Sequence, residues 1–170
     1  MGVSVEVREL KNALIDLLNL SKDIKYQKER YEEMEKDIGT VGAPELSDMP
    51  KGPPNPSDKI GALLVRFEKL SNEIKALEQQ QMDTEDQLEN VLKRLKNPDE
   101  RYVIRLRYIY GKSWREVAST FYKAQDIKIS INNQKELENN IQHYHGKALV
   151  HMIEVCNENP SLKFWGKPSD

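Results

Sequence analysis

The chain predicts an all-α fold, in which an N-terminal antiparallel coiled-coil helical hairpin precedes a C-terminal helix-turn-helix. Three observations carry this prediction. Apolar residues recur at heptad spacing over two long stretches, proline and glycine collect in one break between those stretches, and excess basic charge is confined to the region C-terminal to them. The 170 residues are 38% apolar and 32% charged, with a mean hydropathy of −0.75. Such a composition suits long helices that bury one narrow seam and solvate a wide face.

The first stretch, residues 3–38, repeats Val3, Leu10, Leu17, Ile24, Tyr31 and Ile38 every seventh residue, with Ala13, Leu20, Gln27 and Met34 in the complementary position. The second, 58–96, repeats Ile60, Phe67, Ile74, Gln81, Leu88 and Leu95, beside Leu63, Leu70, Leu77, Thr84 and Val91. These are the a and d positions of a coiled-coil seam. Neither stretch contains a proline, and each helix spans roughly 50 Å at 1.5 Å per residue.

Between them, residues 39–57 hold five prolines and three glycines, which forbid a regular helix. Ser57 or Asp58 supplies an N-cap for the second helix. The simplest architecture folds the helices back on one another over this loop. Pairing with a second copy of the chain is hardly distinguishable from sequence. A tight hairpin would set Gln81 opposite Leu17 and Gln27 opposite Ser71, so a further helix or a second chain is expected on the seam. The reading adopted is a hairpin that also dimerises.

The net charge of −2 conceals an asymmetry. Residues 1–92 hold 12 Lys+Arg against 19 Asp+Glu, a net of −7, whereas residues 93–151 hold 12 against 6, a net of +6. The division suggests an acidic scaffold attached to a polyanion-binding module. A single cysteine, Cys156, excludes an internal disulfide framework and fits a reducing compartment. The N-terminus lacks the order of a signal peptide, and no apolar run approaches the ~20 residues of a membrane span. A cytoplasmic protein with no membrane partner is expected. Domains are expected at 1–96 for the hairpin and 97–157 for the helix-turn-helix, followed by a tail at 158–170.

Asn97 and Pro98 mark a helix start, with Asp99 and Glu100 in the first turn. Val103, Leu106, Ile109 and Tyr110 make its buried face, and Gly111 ends it. Ser113 and Glu116 then form a capping box for a second helix, whose core stripe is Trp114, Val117, Ala118 and Phe121. Arg107 either pairs with Glu116 to brace the two helices or reaches a ligand.

This wording resembles the promoter-reading fourth region of bacterial sigma factors. The shared parts are Glu100-Arg101, Val103-Ile104, Leu106-Arg107-Tyr108, Gly111, Ser113-Trp114, Glu116-Val117-Ala118 and Lys147-Ala148-Leu149. With Ser57-Asp58-Lys59-Ile60-Gly61 at the start of the second long helix, the chain is similar to phage and prophage late-gene transcription regulators of the ArpU and RinA type. The resemblance implies a phage-encoded regulator that binds double-stranded DNA, activates late genes and works with host RNA polymerase. No cofactor, metal or catalytic activity is expected.

One segment departs from that pattern. Trp114 lies 34 positions before Ala148, where the short turn of a helix-turn-helix would place it about 21 before, leaving some 13 extra residues at 122–136. Within them Asp126–Ile131 alternates with period two, so a short strand is expected, and Asn132 or Asn133 caps the next helix. That helix presents Leu137, Ile141, Tyr144, Ala148, Met152 and Val155 on one face. A sigma-like module sets the start of this helix in the major groove. The base-facing candidates are then Asn139, Gln142 and His143, with Lys135 beside them, because Asn and Gln pair bidentately with adenine. Phosphate contacts fall to Lys112, Ser113, Arg115 and Lys147.

The remaining chemistry is sparse. His143, His145 and His151 lack the spacing of zinc ligands, and no phosphate-binding glycine loop or hydrolase nucleophile motif occurs. Pro98-Asp99 with Asp126-Ile127-Lys128 imitates a nuclease signature, but Asp99 is expected in the first turn of a helix rather than on a strand. Two rival functions remain: a small terminase subunit that recognises packaging DNA as a ring, and a polymerase- or sigma-binding protein that does not touch DNA.

Overall fold

The computed structural model describes residues 2–41 and 56–166, and these are helical with no strand. Helix α1 runs Gly2–Val41 and α2 runs Pro56–Leu92. Helix α3, Pro98–Ile104, continues as a π turn over Arg105–Ile109. Helices α4, Trp114–Lys123, and α5, Gln134–Glu158, come next, and a 3-10 turn at Pro160–Leu162 ends the order. None of the described helices is long and apolar enough to cross a membrane.

The two long helices differ from expectation at their ends. Helix α1 continues past Gly39 to Val41, and the Thr40 hydroxyl donates to the Asp37 carbonyl at 2.8 Å. Nothing lies within 4 Å of where a Cβ on Gly39 would stand, so this glycine only lowers helix propensity. Helix α2 starts at Pro56, which puts Ser57 and Asp58 inside it rather than at its cap, and stops at Leu92 rather than 96. The remainder of the expected linker, 42–55, lies outside the described residues.

Packing divides the chain into two compact units, one of Met1–Ser21 with Gln81–Asp170 and the other of Lys22–Gln80. The expected boundary at 96 tracks the heptads, whereas the packing assigns both ends of the long-helix pair to the unit that contains α3–α5. In the Lys22–Gln80 unit, Ile24, Leu70 and Ile74 are buried, Tyr31 stacks on Phe67 with centroids 4.2 Å apart, and Lys28 meets Glu78 at 2.6 Å.

The larger unit has two apolar clusters. In the first, Leu10, Leu14, Leu17 and Leu18 of α1 join Leu88, Val91 and Leu92 of α2 and Ala148, Leu149, Met152 and Ile153 of α5. Leu14 and Leu18 lie outside the heptad positions; their burial widens the stripe because this cluster has more than two helices to fill. Leu95, Ile104, Tyr108, Cys156 and Trp165 complete it. The segment 158–170, expected as a tail, therefore contributes a core residue, and Lys163 adds an ion pair to Glu6 at 3.3 Å.

The second cluster joins Val103 and Leu106 to Val117, Ala118, Phe121 and Tyr122 of α4 and Ile141 of α5. Here Tyr110 departs from expectation: it is 64% exposed, while Tyr108 is buried. The π turn is the cause. Tyr110 N–H donates to the Arg105 carbonyl at 2.9 Å, a five-residue repeat that changes which residues face the core.

Candidate nucleic-acid interface

Helix α4 is positioned by its first turn. The Ser113 hydroxyl accepts from Glu116 N–H at 3.3 Å, and the Glu116 carboxylate accepts from Ser113 N–H at 2.8 Å, which completes the expected capping box. Gly111, at φ +66°, makes the turn before it in the left-handed region that glycine enters freely. The Ser113 hydroxyl also donates to Glu116 at 2.7 Å, and these Ser113 bonds hold the Glu116 carboxyl below the usual carboxylate range. A carboxylate thus occupies the helix terminus to which Ser113 would admit a phosphate.

Helix α3 is fixed on both sides. Asn97 caps it by accepting from Asp99 N–H at 2.9 Å. Arg105 forks onto Glu89 of α2 with two bonds of 2.7 Å, and the Arg105 hydrogen bond draws the Glu89 carboxyl down. The buried Glu100 carboxylate meets His151 Nδ1 of α5 at 2.7 Å. Arg107 does not brace Glu116: its Nη1 donates to the Lys112 carbonyl at 2.6 Å, and its guanidinium lies 5.0 Å over the Trp114 ring. Glu116 is held by Ser113, which leaves that carboxylate no role toward Arg107.

The 122–136 segment forms no strand. Helix α4 takes its first two residues, Asp126 turns the chain at φ 57°, and Ile127 N–H returns to the Tyr122 carbonyl at 2.9 Å. With no neighbouring strand, the alternating isoleucines share no common surface: Ile129 packs on the second cluster, whereas Ile127 is 42% and Ile131 94% exposed. Asn133 precedes α5 but its side chain does not cap it. Its Oδ1 accepts from Ser130 N–H at 2.7 Å instead, which clips the loop to itself.

On α5 the expected apolar face is inward, with Ile141, Ala148 and Met152 buried and Leu137, Tyr144 and Val155 half-buried. Lys135, Asn139, Gln142, His143 and Lys147 are exposed. Lys135, Asn139 and Gln142 recur at spacings of four and three, so they share one side of the helix, and His143 adjoins them. Gly146 lies on that same exposed side, again with nothing within 4 Å of a Cβ built on it. Arg115 and Ser113 are exposed at the start of α4, and Lys112 is half-buried with its carbonyl engaged by Arg107.

Sequence reasoning missed one arrangement. Lys11 and Ile15 of α1, with Arg107, Tyr108, Trp114, Gln142 and His145, line a half-open cleft of about 390 Å³. At its floor the Tyr108 hydroxyl meets His145 Nε2 at 2.8 Å, and the Trp114 ring lies edge-on to His145 at 4.9 Å. Burial, reinforced by Lys11 and Arg107, holds the His145 imidazole down to about 4, and burial pushes the Tyr108 phenol up to about 12. The pair is therefore neutral near pH 7. Lys11 is the neighbour of the seam residue Leu10, and that adjacency was the only clue to it; its place beside Arg107 depends on tertiary packing.

His143, His145 and His151 stand apart, as an exposed ring, a buried partner of Tyr108 and a partner of Glu100. Among the described residues, no group of three His, Cys, Asp or Glu side chains could hold a metal ion. Cys156 is buried, and burial raises its thiol to about 11. No family model matches the chain, and no curated protein or solved structure is significantly similar to it.

Proposed function

We propose that the protein is a phage-type transcription regulator that binds double-stranded DNA through a sigma-like helix-turn-helix. In this reading α4 is the scaffold helix and α5 the recognition helix. The long helices form an antiparallel coiled-coil hairpin through which two copies associate. The observation that carries the reading is the row of Lys135, Asn139, Gln142 and His143, all exposed on a helix whose other side is buried against α3 and α4. Amide and imidazole side chains on an open helix face offer the donors and acceptors that base edges require. The net charge of +6 over residues 93–151 supplies the sequence-independent attraction. The Tyr31–Phe67 stack and the Lys28–Glu78 pair support the hairpin. Activation of late genes together with host RNA polymerase is what the resemblance in wording implies.

The test is a titration of phage DNA against salt, repeated with the triple variant Lys135→Glu, Arg115→Glu, Lys147→Glu. Wild-type affinity should fall steeply with salt, and the variant should lose binding while keeping its thermal midpoint. Binding that survives all three changes means the surface is misassigned. Absence of binding at low salt favours the rival in which the module contacts polymerase or a sigma factor only. A ring of eight or more chains by mass measurement favours the small terminase subunit.

A further inference from the structure

The cleft beside α4 holds an excess of positive charge. Lys11 and Arg107 line it, and no carboxylate does. A depression of about 360 Å³ around Glu100 and His151 has three glutamates among its cations, and one of about 390 Å³ after α4 has Asp126 among Lys123 and Lys128, so in both carboxylates stand against the cations. Arg107 is already immobilised by the Lys112 carbonyl and the Trp114 face. A guanidinium held rigid beside a second cation is preorganised for an anion.

The position of the cleft identifies which anion. Trp114 begins α4, and Gln142 belongs to the exposed row of α5, so the cleft adjoins the proposed DNA face. The α4 terminus itself is filled by Glu116. A strand lying along α5 would therefore meet Lys11 and Arg107 in addition to the exposed Lys135 and Lys147, while the α4 terminus is taken by Glu116. We propose that this cleft seats a backbone phosphate of the bound duplex, clamped by Lys11 of α1 and Arg107, with Gln142 at its rim. The proposal rests on the DNA-binding reading. It adds that the first helix of the acidic half touches DNA.

Phosphate contacts carry no sequence information, so a mixed-sequence 30-base-pair duplex is a sufficient probe. Lys11 is exposed, and its charge can be removed without disturbing a core residue. Lys11→Gln should weaken duplex binding about three- to tenfold at low salt and lower the slope of log affinity against log salt by about 1. Lys11→Arg should restore both. Lys75→Gln, an exposed charge in the Lys22–Gln80 unit, should leave the slope unchanged. If the wild type binds duplex and Lys11→Gln matches it in affinity and slope, the phosphate seat is refuted while the DNA reading stands. If the wild type binds no duplex at low salt, both fail. A parallel titration with inorganic phosphate that depends on Lys11, without duplex binding, would assign the cleft to a free anion and overturn the DNA contact.

Discussion

The two compact units use the same pair of long helices in different ways. In Lys22–Gln80, the buried residues of α1 and α2 among those described are Ile24, Leu70 and Ile74. In the unit that contains their outer ends, the same helices also share a cluster with α3, α5 and Trp165, and four leucines of α1 are buried within nine residues. Heptad spacing is common to both units, so the width of the buried stripe is set by the number of neighbours rather than by the repeat. A two-helix seam stabilises less per residue and relaxes more readily when a side chain is lost.

Truncation should therefore separate the units most strongly. Leu14→Ala should cost about 3 to 4 kcal/mol by denaturant unfolding, and Ile74→Ala about 2, since the thinner seam can close around the gap. Equal losses would break the comparison. Acidification should come next and act through the larger unit. His145 titrates at about 4 when folded against an ordinary 6.5, so the unfolded chain takes up the proton first. Stability is then lost as pH falls from 6.5 toward 4, by about 3 kcal/mol in all. His145→Asn should remove that dependence, and a pH profile unchanged by the substitution would show that the imidazole is not its source.

Ion pairs should sharpen the contrast on a smaller scale. The Arg105–Glu89 fork is about a quarter exposed, whereas Lys28 and Glu78 are about half exposed. A double-mutant cycle on the first should give about 1 kcal/mol and persist in salt, and one on the second a few tenths that salt removes. The smallest effect is a gain. Gly61→Ala in α2 and Gly146→Ala in α5 should each stabilise by about 0.5 to 1 kcal/mol, since neither Cβ meets a neighbour. Only Gly146→Ala should also weaken duplex binding, because it adds a methyl group to the proposed DNA face. Unimpaired binding would place the duplex further along α5.

Much of the fold was legible because its signals are local. The heptads named a seam whose described side chains are buried or half-buried apart from Ile60, and Asn97, Ser113 and Glu116 predicted two helix starts from capping chemistry alone. What was not legible depends on partners distant in sequence. Tyr110 was expected inside because a 3.6-residue period was assumed, and the π turn exchanges it for Tyr108. The isoleucines at 127, 129 and 131 alternate as a strand does, but alternation cannot supply a second strand. Asn133 could cap α5 or bond back to Ser130, and residue type does not choose between the two. At the candidate site, the α5 row was readable from periodicity and resemblance. The cleft was not, because Lys11 and Arg107 are 96 positions apart.

The π turn has a mechanical consequence. On either side of its start, Ile104 and Tyr108 are gripped by the first cluster while Val103 and Leu106 are gripped by the second. One short helix thus acts as a shared axle, and neither cluster can rotate or loosen without turning a rod that the other also holds. The amides of Leu106 and Tyr108 should exchange hydrogen at one common rate, set by opening of the whole unit, which makes α3 the transmission between the two apolar clusters.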